Sequence, residues 1–198
     1  MSELTTYLQL GFKHITDLKG VDHILFILAL CAIYNMSEWR KVGLLVTAFT
    51  IGHSLTLALA TFKIVRVNNN LVEFLILVTI FVTCIFNFFY KIPSRKPLKQ
   101  KTDYSRYYMA LFFGLIHGLG FSNYLRSLLS KEESIVKPLF AFNIGLEGGQ
   151  IVIVGVSLLV SALIVRIFKV SHHDLKLALS GFIAGITLFL LKDSAIFS

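Results

Sequence analysis

An all-α fold, a polytopic membrane bundle of about six transmembrane helices in one domain spanning residues 1–198, is what this sequence predicts. The first observation is composition. Hydrophobic residues make up 56% and charged residues 15%, and the mean hydropathy is +0.75, more than an ordinary soluble domain of this size could keep in water. The second is length. A crossing helix needs roughly 20 apolar residues, so about six crossings use some 120 residues and leave about 80 for loops and ends, too few for a separate globular domain. The third is the presence of six charge-poor apolar runs, at 21–34, 42–61, 71–90, 107–125, 138–165 and 177–191.

Taken in order, residues 1–10 contain Glu3 and no basic cluster ahead of an apolar core. They do not read as a cleavable signal peptide, and the first span is expected to serve as its own address. The first and last runs are short. Cys31 and Cys84 both sit inside apolar runs, which excludes a disulfide framework and a CxxC zinc site. Between the third and fourth runs, loop 91–106 carries Pro93, Pro97 and six basic residues against the single acid Asp103, the pattern of a solvated, irregular segment. Between the fourth and fifth, Tyr124, Leu125, Leu128 and Leu129 recur at helical spacing beside Arg126, Lys131 and Lys137, as in a helix lying on the membrane surface. Ser171-His172-His173-Asp174 opens the last run as a helix N-terminus with Ser171 as its cap, and a metal role for these two histidines is the weaker reading.

The formal charge of +8 must be read by position, because basic residues in membrane proteins gather in cytoplasmic loops. Segments 35–41, 91–106 and 166–176 hold eleven lysines and arginines and the other side holds eight, which places both termini outside. The expected setting is a bacterial cytoplasmic (inner) membrane, with lipid and not nucleic acid around the chain. Ala48-Phe49-Thr50-Ile51-Gly52 matches Ala141-Phe142-Asn143-Ile144-Gly145, and His23 has a counterpart at about the same offset in His117. This suggests an inverted repeat of three plus three spans, about 1–90 and 107–198, joined by the basic loop, an arrangement that tends to build a binding site at its interface.

The chemistry lies in polar residues that hydrocarbon should exclude. His53 and His117 fall near the middle of the second and fourth spans. Glu147 is the one formal charge between Pro138 and Val165, and it lies on a stripe with Asn143 and Gln150 at i, i+4 and i+7. An isolated carboxylate there costs several kcal/mol or takes up a proton. Asp22 and His23 open the first span, and His14 stands eight residues before Asp22. With both termini outside, a rise of about 1.5 Å per residue puts His53, His117 and Glu147 just beyond the midplane on the outer side and Asp22 and His23 a turn inside the outer surface. Imidazole and carboxylate together favour a divalent ion such as nickel, cobalt, zinc, iron or manganese, whereas Cu(I) would want Cys or Met.

Each of these residues also has a packing reading. Membrane histidines often bridge helices, Asp22 complements a helix N-terminus, and His14 suits an interface. Glu73 reads as interfacial. Thr79, Thr83 and Asn87 share a face that reads as helix contact in preference to pathway lining. Gly114, Gly118, Gly120, Gly145, Gly148 and Gly149 let helices approach closely or free carbonyls for an ion. Several ionisable residues at one depth on different helices are harder to explain by packing than any one alone.

Four segments resemble one known family over nearly the whole chain. They are Gly11-Phe12-Lys13-His14 followed by Gly20-Val21-Asp22-His23, then Gly52-His53-Ser54-Leu55-Thr56-Leu57, then Phe113-Gly114-Leu115-Ile116-His117-Gly118-Leu119-Gly120-Phe121, and finally Phe142-Asn143-Ile144-Gly145-Leu146-Glu147-Gly148-Gly149-Gln150. The family is the HupE/UreJ-type hydrogenase and urease accessory membrane proteins, regarded as nickel or cobalt permeases. The resemblance implies metal handling by His14, Asp22 and His23. Ile15 stands where the family often has proline, and His14 precedes Asp22 by eight residues instead of the usual six. The expected function is inward movement of a divalent metal, nickel or cobalt before zinc, through His14, Asp22, His23, His53, His117 and Glu147, with Asn143, Gln150 and Ser54 as polar lining. The metal ion and the bilayer are the expected partners, and a homo-oligomer is left open. An intramembrane zinc hydrolase built on the same cluster, or a metal-binding assembly or sensor subunit, is the alternative.

Overall fold

The computed structural model describes residues 3–18, 20–65, 68–92, 104–129 and 135–194, and every regular element among them is helical. The α-helices in chain order are α1 (Glu3–Thr16), α2 (Asp22–Cys31), α3 (Trp39–Thr61), α4 (Asn69–Phe89), α5 (Tyr104–Gly120), α6 (Ser122–Leu129), α7 (Val136–Phe168) and α8 (His172–Lys192). A short 3₁₀ turn, Met36–Glu38, leads into α3.

Polar side chains set the starts. Asn35 Oδ1 accepts from the Ser37 N–H at 3.1 Å while the Glu38 carboxylate accepts from the Asn35 N–H, a reciprocal cap. Asn68 Oδ1 accepts from the Asn70 N–H ahead of α4. Ser171 Oγ accepts from the Asp174 N–H ahead of α8, as the sequence predicts. At its far end α7 stops on Lys169, which sits in the left-handed region at φ 54°.

Four stretches are long and apolar enough to cross a bilayer, Met36–Thr61, Asn69–Phe89, Val136–Phe168 and His172–Lys192, and the chain is an integral membrane protein. The other two expected spans differ. The run 21–34 folds into α2, whose ten residues reach about 15 Å, half of a bilayer's hydrocarbon core of roughly 30 Å. Its apolarity serves the protein interior, for seven of its ten residues are buried. The run 107–125 is interrupted, since α5 ends at Gly120 and α6 begins at Ser122. Of the segment 122–137, expected to be helical, residues 122–129 form α6, with 130–134 outside the described residues, as are residues 93–103 of the basic loop.

Two parallel helix pairs frame the molecule. In the first, α3 lies on α5 so closely that a methyl group added at Gly52 would collide with the Leu111 carbonyl, one at Gly114 with the Phe49 carbonyl, and one at Gly118 with the His53 carbonyl. In the second, α1 lies on α7, with Gly11 against the Phe142 carbonyl and Gly145 against the Leu8 carbonyl. Gly114/Gly118 and Gly145/Gly149 are thus small-residue pairs four apart, the spacing that lets membrane helices meet backbone to backbone.

The pairs are joined by a polar seam. Ser54 Oγ donates to Asn143 Oδ1 at 2.7 Å, Thr50 Oγ1 to Gln150 Oε1 at 2.6 Å and Thr47 Oγ1 to Glu147 Oε1 at 3.2 Å. Ser54, one turn after Thr50 on α3, meets Asn143, two turns before Gln150 on α7, so the two pairs run antiparallel to one another. Helices α4 and α8 pack together beside them, and α2 touches α1, α3, α4, α7 and α8.

Candidate metal centre

The candidate ligands arrive from four helices. His14 lies in the last turn of α1 and His117 near the end of α5, each one turn after the glycine that holds its helix to the partner, Gly11 and Gly114. His53 follows the contact glycine Gly52 on α3. Asp22 and His23 open α2, the short helix among these pairs. A histidine placed next to such a contact cannot drift far, because backbone against backbone leaves the helix no room to roll.

The four rings converge. The His23 ring centroid is 4.8 Å from that of His14, 5.2 Å from His117 and 5.8 Å from His53, and His14 is 6.1 Å from His53. His53 and His117 are wholly buried and His23 is 5% exposed. Potential ligand atoms of His14, His23 and His53 lie within 4.8 Å of one another, as do those of Asp22, His23 and His117, so His23 belongs to both groups. Metal–nitrogen bonds of about 2.0–2.1 Å put tetrahedral ligand atoms about 3.4 Å apart, so atoms now within 4.8 Å need close by at most about 1.4 Å to hold an ion.

Hydrogen bonding leaves this cluster open. His14 Nε2, His23 Nε2, both ring nitrogens of His53 and His117 Nδ1 are buried without a partner. A buried polar atom left unpaired costs about 1–3 kcal/mol, so four adjoining rings with unpaired nitrogens make an unstable core and a good coordination site. The bonds that do exist orient the rings. Thr79 Oγ1 donates to the Ile76 carbonyl at 2.7 Å, so it accepts from His117 Nε2–H at 2.9 Å, which leaves Nδ1 of His117 as the lone-pair nitrogen. His23 Nδ1 lies 3.3 Å from Asp22 Oδ1.

Phenylalanine rings wall the centre. Phe26 and Phe49 stand 4.9 and 5.1 Å from His117, and Phe121 and Phe142 stand 3.9 and 5.8 Å from His14. On these sides of the centre the rings leave the imidazole nitrogens as the available donors. Imidazole with one carboxylate matches borderline divalent ions.

Of the residues singled out in the sequence, His14, Asp22, His23, His53 and His117 are brought together. Glu147 falls in neither group, and its carboxylate accepts from Thr47. Asn143, Gln150 and Ser54 are engaged in the α3–α7 seam. His172 lies elsewhere, with Nε2 3.1 Å from the Tyr34 carbonyl. The offset that pairs His117 with His23 is also revised, since in the helix contacts the counterpart of His117 is His14. Thr79, read as packing, touches a candidate ligand, and the phenylalanine wall has no signal in a sequence already rich in phenylalanine. The helical nature of residues 3–16 had one: Gly11-x-x-His14 repeats the spacing of Gly114-x-x-His117.

Comparison with known protein families finds a match over residues 1–192 to the model described as HupE / UreJ protein. The chain belongs to the HupE/UreJ family. No curated protein and no solved structure matches it. In this HupE/UreJ chain the motif segments divide into two structural tasks. Gly11, Gly52, Gly114 and Gly145 make backbone contacts between helices, and His14, His53 and His117, one turn or one residue after the first three, meet His23 at the centre.

Proposed function

We propose that this HupE/UreJ protein carries a divalent transition metal, nickel or cobalt before zinc, across a bacterial cytoplasmic membrane from the side on which both termini lie. The observation that carries the reading is the set of five buried, unpaired imidazole nitrogens converging from four helices, with Asp22 beside them. A metal ion would take one lone-pair nitrogen from each ring it binds, whereas a packing role would leave the desolvation of those nitrogens uncompensated. Neither Walker-type phosphate loop nor other nucleotide signature occurs in the sequence. The membrane potential supplies the drive, at about 4.6 kcal/mol for a doubly charged ion at 100 mV.

An intramembrane hydrolase built on the same histidines would need Glu147, Asp22 or Ser54 beside a bound water. Ser54 donates to Asn143 and Glu147 accepts from Thr47, which leaves Asp22, 3.3 Å from His23 Nδ1, as the one candidate for that role at the cluster.

Calorimetry and elemental analysis on purified protein test the reading. The wild type should bind Ni²⁺ or Co²⁺, and His53→Ala or His117→Ala should abolish both binding and accumulation in cells while membrane expression persists. Loss of an interhelical hydrogen bond alone costs only about 0.6 kcal/mol. Normal accumulation by both variants would return these histidines to packing.

A further inference from the structure

The centre is reached from one end of the bundle. A cavity of about 180 Å³ is lined by His14, Asp17, Asp22, His23, Glu73 and Ile76. A second, of about 450 Å³, shares Asp22, Glu73 and Ile76 with the first and is bounded further out by Leu190 and Asp193 at the end of α8. Four carboxylates, Asp17, Asp22, Glu73 and Asp193, border these two cavities, and among the described residues lining them there is no lysine or arginine. Lys13 borders a neighbouring cavity that shares His14 and Asp17 with the first. His23 also borders it, 5% exposed and with Nε2 buried and unpaired, which ties the acidic mouth to an unsatisfied ligand.

Helix α4 connects the mouth to the centre. Glu73, Ile76 and Thr79 follow one another at three-residue steps, and Thr79, which holds His117, stands about 9 Å along the helix from Glu73. Between them Ile76 is 4% exposed and lies over Gly120, where an added methyl group would come within 3.0 Å of its Cδ1. His14 and His23 line the acidic vestibule itself, while His53 and His117 lie wholly buried beyond them.

We propose that this vestibule is the entrance for a hydrated divalent cation and that Glu73 is its capture residue, drawing the ion in before Asp22 and the histidines replace its water. The assignment rests on the metal reading given under Proposed function and adds to it the route and the recognising group. A mouth lined by one sign of charge between low-dielectric walls raises the local concentration of the opposite ion. Removing one such charge acts on the association rate and its salt dependence more than on the bound state. Glu73 therefore sets how fast the ion arrives, and the imidazoles set how tightly it stays.

The test is rapid mixing of purified protein with Ni²⁺ at low and high NaCl, with equilibrium affinity measured by calorimetry. Glu73→Gln should slow association about 3- to 10-fold at low salt, and the deficit should shrink at high salt. Glu73→Lys should slow it further, with an unchanged size-exclusion profile showing that both variants fold. In proteoliposomes the KM for Ni²⁺ should rise by the same factor while the maximal rate stays. Association of Glu73→Gln at the wild-type rate in low salt would overturn the entrance while leaving the centre standing, provided the wild type binds Ni²⁺ and His53→Ala does not. A wild type that binds neither Ni²⁺ nor Co²⁺ would overturn the metal reading and the entrance with it.

Discussion

The pair α3–α5 and the pair α1–α7 make the same backbone contact and carry different side chains on it. Gly114 meets the Phe49 carbonyl as Gly11 meets the Phe142 carbonyl, and Gly52 meets the Leu111 carbonyl as Gly145 meets that of Leu8. The two phenylalanines occupy the same place in the matching segments Ala48–Gly52 and Ala141–Gly145, and the two leucines each stand three residues before their glycine. One turn after that glycine both pairs present a histidine, His117 and His14. One residue after the other glycine they part, with His53 in the first pair and Leu146 in the second, each fully buried. The same scaffold thus yields two imidazoles in one pair and one in the other, which faces the vestibule. A shared backbone contact fixes where a side chain stands, and the side chain alone decides whether that place is a ligand or a piece of core.

The harshest way to break the comparison is to remove the contact itself. Gly114→Leu and Gly11→Leu each drive a side chain into a carbonyl of a parallel helix, which cannot yield as a flexible side chain can. Overpacking ordinarily costs about 1–3 kcal/mol, and here both variants should exceed it and fail to give monodisperse protein in size-exclusion chromatography. If one is tolerated, the two contacts are not equivalent.

A gentler change converts one pair into the likeness of the other. His53→Leu keeps volume and burial, so the protein should fold, while Ni²⁺ affinity falls by more than the roughly 10–100-fold that follows loss of a ligand's hydrogen-bond partner. Leu146→Ala should do the reverse, lowering stability by about 2–5 kcal/mol in denaturation while calorimetric affinity holds. Equal effects of the two on binding would show that His53 acts through packing.

Protons probe the histidine of the second pair. Imidazole binds metal only when neutral, and burial holds the pKa of His14 at about 3, well below its ordinary value of about 6.5, so the ring stays neutral in neutral and mildly acid solution. Calorimetric Ni²⁺ affinity should therefore hold from about pH 7.5 to 5.5 and fall only as the pH drops toward about 3, with little proton release on binding in buffers of differing ionisation enthalpy. A loss of about tenfold already between about pH 7.5 and 5.5, with proton release, would show that His14 is not a buried neutral ligand.

The smallest effect belongs to the seam that joins the pairs. Ser54→Ala removes its bond to Asn143 and should cost about 0.6 kcal/mol, the usual worth of an interhelical hydrogen bond, with metal affinity unchanged. A large loss of binding in that variant would put Ser54 back among the groups that line the centre.

Much of the centre was legible before the fold, because each candidate stood where hydrocarbon or its interface makes an ionisable group expensive. His53, His117, Asp22 and His23 stand out on that ground alone. Glu147 stands out for the same reason, yet its carboxylate lies with Thr47, since helical periodicity names the face a residue shares and not the neighbour that face meets. The α2 segment misleads in another way. Lipid and protein interior are both apolar, so hydropathy cannot separate a short buried helix from a span, and only its ten-residue length does.

By itself, then, the sequence determined that the chain is helical and membrane-embedded, that its chemistry is imidazole and carboxylate, and that its family is HupE/UreJ, because cost in hydrocarbon and motif identity are properties of residues in order. The tertiary structure alone decided that His14 joins His23 and His53, that Thr79 holds His117, that Glu147 lies in the α3–α7 seam and that Glu73 stands at the mouth. These depend on how each helix is rotated and how closely it approaches its neighbour. Glycines meeting carbonyls across two helix pairs set that rotation and approach, and no periodicity within one helix contains it.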